Sequence, residues 1–327
     1  MNSRTFMDDI AMYMFDRRRI EERNSRKTRA KYQRPDLESW TEEKCYKMFR
    51  FTYKEICQIC QLIGLDNKLR FNSIKVTREF AMALLLYRLS FPRRLSDMVD
   101  IFGMAEDNIG RTVNGLSDIL LQKFRYGLEF DERQFSKSNC EKFSRAILEK
   151  GAYYPNIVGF IDGTMQQTCR PKINADQKAL FNGWKHQHCI KFQAISTPDG
   201  ITSSLSGPYV GRRNDRGMLN ESQMLQRLQA HFGHISPEYE YCIYGDEAYW
   251  STMHVIQPYR NPLRNEFEGE VNLSMSKVRV AIEMEFGKVS QLFRACKWKY
   301  GNIVSQTRPA TKYMLSTVFK NFHTCIN

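Results

Sequence analysis

The chain has 327 residues, 42% of them hydrophobic, and its 49 Lys and Arg against 36 Asp and Glu give a formal net charge of +13. That length and apolar content exclude a disordered chain and allow one large domain or two ordinary ones. No apolar run reaches membrane-span length, and the positive surplus favours a polyanionic partner, nucleic acid or an acidic membrane face. The N-terminus lacks the basic, apolar and small-residue order of a signal peptide. Nine scattered cysteines form no regular framework and indicate a reducing interior, nucleus or cytoplasm. The one CxxC, Cys57 to Cys60, has helical spacing and no second pair at zinc-ribbon distance, so it is read as a helix face.

Residues 1–35 form a basic arm, with the run DRRRIEERNSRKTRAKYQR at 16–34 dense in Arg and Lys. It suits an import signal, a DNA-contacting arm or a charged surface helix. Residues 36–148 read as a helical domain. TYKEICQICQLIGL and TREFAMALLLYRLS carry apolar residues at three- and four-residue spacing. Within 95–121 a short amphipathic piece ends at Phe102-Gly103, and Glu106 and Asp107 then open a helix striped by Ile109, Val113, Leu116 and Leu120. This is the layout of a helix-turn-helix, in which Asn108, Arg111, Thr112 and Asn114 would approach DNA; a helix pair that only packs has the same layout.

Residues 149–327 change texture. NIVGFID reads as a short buried strand ending at Asp162, HCIKFQAIS as a half-buried alternating strand, and ITSSLSGPYVG as its hairpin partner across the turn PDG. MLNESQMLQRLQAHF reads as a helix, YCIYGD as a second apolar strand ending in Asp246, and SKVRVAIEMEFGKVSQLF as a strong helix. The fold class is therefore α/β or α+β, a mixed sheet flanked by helices and preceded by the helical domain.

Two apolar strands that each end in an aspartate beside a glycine raise one question twice. Asp-Gly is turn chemistry, but carboxylates at strand ends also present metal ligands and catalytic acids. On neighbouring strands the two would share one sheet edge, and buried carboxylates side by side repel unless a cation stands between them. Hard divalent ions with oxygen ligands meet that need. A third ligand would come from the later helix, where Glu283 and Glu285 flank the stripe of Val278, Ile282, Phe286 and Val289; periodicity leaves both open. Arg279, four residues before Glu283, is placed for a helical ion pair with it. Two aspartates and a glutamate suit two-metal phosphoryl chemistry.

The runs FIDGT…CRP, FNGWKHQHCIKFQAISTPDGI, GPYVGRRNDRGML, IYGDEAYW and MSKVRVAIEMEFG, in this order over about 150–295, resemble the DDE domain of PIF/Harbinger-type transposases and the nucleases derived from them. The resemblance implies an RNase H-like fold with its triad on Asp162, Asp246 and Glu283, and so selects Glu283 over Glu285. Relatives often have a small residue where Glu285 stands, so the chain departs there, beside the expected metals. The resemblance further implies two divalent ions, Mg²⁺ or Mn²⁺, and phosphodiester hydrolysis on DNA with strand transfer in the same site. Lys185, His188, Arg212, Arg213 and Arg111 are candidate DNA contacts, and Asp215 a candidate accessory acid. A Myb/SANT-like partner protein is implied by the same resemblance; a homo-oligomer is a further candidate partner, the location is read as the nucleus with the cytoplasm as its alternative, and no membrane partner is expected, since no apolar run is long enough to span one. The alternative is a domesticated, catalytically silent DNA-binding or scaffold protein with the same fold.

Overall fold

Hydroxyl side chains fix where most of the N-terminal helices begin. The computed structural model describes residues 33–236, 238–260 and 266–327, so nearly all of the basic arm lies outside the described residues. Thr41 accepts the Lys44 N–H ahead of α1 (Glu42–Phe49). Thr52 and Glu55 exchange bonds as a capping box at α2 (Tyr53–Leu62), which satisfies two amides that a helix start leaves orphaned. A short hairpin of β1 (Lys68–Phe71) and β2 (Ile74–Thr77) interrupts what the periodicity predicts as continuous helix. Thr77 then caps α3 (Arg78–Ser90), which is buried along most of its length. α4 (Ser96–Phe102) ends on Gly103 in the left-handed region, φ 53°, and α5 (Glu106–Glu129) follows.

α6 (Lys137–Glu149) leads into β3 (Ile157–Gln167). Then come α7 (Asn174–Leu180), β4 (Phe181–Asn182), β5 (Gln187–Ser196) and β6 (Thr202–Val210). α8 (Asp215–Glu221) and α9 (Met224–Ile235) come next, followed by β7 (Cys242–Tyr244), β8 (Val255–Ile256), α10 (Glu266–Leu292) and α11 (Pro309–Ile326). The sheet runs β6-β5-β3-β7-β8, with β4 extending the pairing of β5 beside β6. β3 is antiparallel to β5 and parallel to β7, and β7 is parallel to β8. The result is a mixed sheet with helices on both faces, as the alternation of patterns predicts.

Four details differ from the sequence reading. β3 does not stop at Asp162; it continues to Gln167, and what ends there is full burial, because the second half of the strand is only partly covered. β5 is not half-exposed but buried from Cys189 to Ser196, since helices cover both faces. The stretch MLNESQMLQRLQAHF is two helices, broken where Gln223 takes a left-handed φ of 54°. The helix pair around Gly103 is present, but Thr112 is fully buried and donates to the Asn108 carbonyl at 2.8 Å, so it faces the core and not a ligand. Arg111 and Asn114 are exposed.

One apolar cluster joins Phe49, Leu86 and Phe102 of the N-terminal helices to Phe192 of β5 and Phe319 of α11, so packing runs across residue 148. A second fills the opposite sheet face, where Ile161, Ile195 and Ile243 meet Phe143 of α6 and Leu228 and Phe232 of α9. A third packs Phe160 and Tyr244 against Met275 and Ile282 of α10. Because side chains alternate along a strand, these clusters decide which face each site residue uses. No helix among the described residues is long and apolar enough to cross a membrane.

Candidate active site

Phe160 and Tyr244 are register partners on the parallel strands β3 and β7. Asp162 follows Phe160 by two residues, and Asp246 follows Tyr244 by two. Both carboxylates therefore leave adjacent strands at equivalent heights, on the C-terminal side of the parallel pair, where ligand sites of such sheets form. Gly245 continues the ladder by donating to the Ile256 carbonyl at 2.9 Å. A side chain there would meet the Tyr249 ring at 2.5 Å, so glycine lets the Asp246 turn close over that ring. Asp246 then accepts the Ala248 N–H at 3.0 Å, an aspartate turn that fixes its carboxylate.

Since Phe160 faces α10, Asp162 faces it too. The link is Arg279 of α10, whose guanidinium donates to Asp162 Oδ2 at 3.1 Å and to Glu283 Oε1 at 3.0 Å. The helical ion pair between Arg279 and Glu283 is thus present, and one arginine ties the glutamate to the strand aspartate. Glu285 is elsewhere. Its carboxylate is buried, accepting from Lys320 Nζ of α11 at 3.0 Å and from Lys288 Nζ at 2.6 Å. Glu285 thus serves a buried ion pair between two helices.

Asp215, the candidate accessory acid, stands behind β3 on the other face. Its Oδ1 lies 2.5 Å from where a Gly163 side chain would begin, and it accepts from Lys191 Nζ at 2.7 Å. Lys191 is almost fully buried and also donates to the Arg213 carbonyl at 3.0 Å. Gln193 donates to the Asp215 carbonyl and to the Tyr249 hydroxyl, both at 3.2 Å, while its own amide oxygen is buried without a partner among the described residues. The sequence reading missed Lys191, Gln193 and Tyr249; the signal for the first two was a charged and an amide side chain inside the apolar run CIKFQAIS.

Of the candidate DNA contacts, Lys185 and Arg212 are exposed and His188 is partly covered, its ring edge-on to Phe181 at 5.5 Å. Arg213 is committed to Glu221. Arg111 lies on α5, in the N-terminal helical region rather than on the sheet that carries the aspartates. Arg216, which the sequence reading passed over, lies over the ring of exposed Trp250, just after the Asp246 turn.

Burial raises the Asp162 pKa from an ordinary 3.8 to about 6; the Gly163 N–H and Arg279 oppose the rise, and Asp246 and Asp215 add to it. Burial also raises Asp246, with Asp215 adding and the Ala248 N–H and Arg279 opposing. One guanidinium faces three carboxylates, Asp162, Asp246 and Glu283. The donor set, all oxygen and short of positive charge, fits a hard divalent cation. As the side chains stand, however, no group of three or more His, Cys, Asp or Glu among the described residues is drawn together enough to hold a metal, and Arg279 occupies the place between two of the three.

With its folded pKa above the unfolded one, Asp162 holds a proton in the folded chain at pH values where the unfolded chain has released it. Its contribution to stability is therefore full below about pH 4 and is lost as pH rises through about 6. A divalent cation that neutralises the ionised pair should raise the melting temperature more at pH 7.5 than at pH 5. Thermal shifts with Mg²⁺ or Mn²⁺ against EDTA at the two pH values measure this, and equal shifts at both would exclude Asp162 from binding.

No curated protein and no solved structure matches the chain. One family does. The match begins inside β3 and ends inside α11, and so takes in Asp162, Asp215, Asp246, Arg279 and Glu283: residues 161–318 match the DDE superfamily endonuclease family.

Proposed function

We propose that the chain is a metal-dependent DNA endonuclease of the transposase kind, with Asp162, Asp246 and Glu283 as its metal-holding carboxylates. The observation that carries this is the register of Phe160 with Tyr244, which brings the two aspartates to one sheet edge, with Arg279 drawing Glu283 to the same face. The sheet order β6-β5-β3-β7-β8, antiparallel on one side of β3 and parallel on the other, supports the RNase H-like reading. When bound, a pair of Mg²⁺ or Mn²⁺ ions supplies an acidified water and a stabilised leaving oxygen for in-line displacement at phosphorus.

The protein's own contributions are positional. β3 and β7 hold Asp162 and Asp246 side by side, and the turn at Ala248 keeps the second from rotating. Asp162 must be ionised to act as a ligand, so a cation entering the site competes with the proton that burial favours on it. Lys191 holds Asp215 against β3, leaving Asp162 and Asp246 free of that lysine. Arg279 steadies the ionised carboxylates and must turn aside when cations enter. The net charge of +13 agrees with a DNA substrate, and a Myb/SANT-like partner, self-association and action in the nucleus belong to the same reading.

A second reading has its own support. Arg279 already spans two of the three carboxylates, an arrangement that suits a catalytically silent DNA-binding or scaffold protein. Nicking of supercoiled plasmid decides between them. The nuclease produces nicked circles with Mg²⁺ or Mn²⁺ and none with EDTA. DNA binding without nicking between pH 6.5 and 8.5 would leave the silent reading standing, and preference for matched RNA over DNA would change the substrate.

A further inference from the structure

Immediately past Asp162, the half-exposed part of β3 floors an open trough. It consists of two adjoining cavities of about 500 and 520 Å³ that share Gln167, Lys185 and Gln187. The first starts at Gly163, next to the catalytic aspartate, and is walled by α10 and Lys297. The second reaches Arg170, His186, Lys299 and Tyr300. No carboxylate of the described residues lines either cavity. Among the described residues, none of Lys185, Lys297, Lys299 and Arg170 is engaged in an ion pair. Cations left unneutralised along a groove fit a chain of phosphates.

Tyr300 lines this trough, and Trp184 precedes its lining residue Lys185 in the chain. Trp184 is 84% exposed at the tip of the turn between β4 and β5, beside Lys185. The turn holding it is built: the Asn182 side chain accepts the Lys185 N–H at 2.9 Å and donates to the Gly211 carbonyl at 2.9 Å. Tyr300 is 66% exposed, with the Lys299 ammonium 5.0 Å from its ring centre. Large rings held in water by a fixed backbone lose apolar contact that folding did not recover. A base-paired duplex offers such rings little, because its base faces are already stacked; unpaired bases offer theirs.

We propose that this trough takes an unpaired DNA strand leading away from the carboxylate edge, its phosphates against Lys185, Lys297 and Lys299 and its bases stacked on Trp184 and Tyr300. The substrate so defined is DNA whose strands are separated beside the point of cleavage, which deepens the endonuclease reading and rests on it for the identity of the cleaved polymer.

The test needs no catalysis. Binding of the full chain to a labelled oligothymidylate of about 12 nucleotides and to a blunt duplex of similar charge is measured by fluorescence anisotropy in EDTA, across a salt series. Trp184→Ala is expected to lower the ratio of single-strand to duplex affinity about tenfold, as loss of one stacking platform does, and Trp184→Phe to restore most of it. Lys297→Gln with Lys299→Gln should flatten the salt dependence of single-strand binding. An unchanged ratio in Trp184→Ala, or a wild type that binds duplex alone, overturns the proposal. Because no metal is present, failure here is separate from failure of the nuclease reading: a silent protein that still loses single strands on Trp184→Ala keeps the trough and loses the nuclease.

Discussion

Asp162→Asn is expected to raise the melting temperature of the metal-free protein at pH 7.5 while lowering its metal-dependent nicking of DNA by at least about 10³-fold, since metal assistance supplies several kcal/mol at the transition state. The two effects have one cause. Burial drives the Asp162 pKa from 3.8 to about 6 despite the help of Arg279 and the Gly163 N–H, so at pH 7.5 the fold carries a charge it would be better without. Roughly two pH units correspond to about 3 kcal/mol at most, and the partial exposure of the carboxylate, 17%, trims that. Asparagine keeps the shape and can still accept the 2.7 Å bond from Gly163 without the charge. Loss of activity through misfolding would lower the melting temperature instead, so calorimetry beside the nicking assay separates the explanations. A variant that nicks at the wild-type rate removes Asp162 from the chemistry.

Lys320→Ala should destabilise the fold by about 3–5 kcal/mol, the usual consequence of leaving one member of a buried ion pair alone. The Lys320 side chain has no exposed surface, and its ammonium donates to Glu285 at 3.0 Å, to the Thr202 hydroxyl at 2.9 Å and to the Gly200 carbonyl at 3.0 Å. Removing it strands Glu285 with Lys288, whose side chain is half exposed. Burial lowers the Lys320 pKa and Glu285 works against that, the signature of a charge tolerated for its partner. Lys320→Met with Glu285→Leu should recover most of the loss, because an apolar pair of similar volume carries no desolvation cost. Chemical denaturation of the two single variants and the double variant measures the coupling; additive losses would show that the pair does not act as one. The pair ties α10 and α11 to the turn between β5 and β6, and α10 is the helix that presents Arg279 and Glu283 to the sheet. Glu285 is thereby a structural residue, its buried charge matched by Lys320.

The helices of the N-terminal half, the paired strands β5 and β6, the long helix α10 and the two aspartates beside glycines were all legible in the sequence, because each depends on spacing and chemistry within a few residues. So was the ion pair of Arg279 with Glu283, one helical turn apart. What local pattern does not contain is which strands become neighbours. The register of β3 with β7 joins Asp162 to Asp246 across 84 positions, and the packing of Met275 and Ile282 on Phe160 and Tyr244 chooses the face of α10 that meets them. From that packing follow the second bond of Arg279, to Asp162, and the turning of Glu285 toward Lys320. Full burial of β5, and with it the hidden roles of Lys191 and Gln193, likewise needed helices on both faces of the sheet. Periodicity shows that a residue has a buried side; only the assembled layers determine what it is buried against, because those contacts come from segments that share no local sequence.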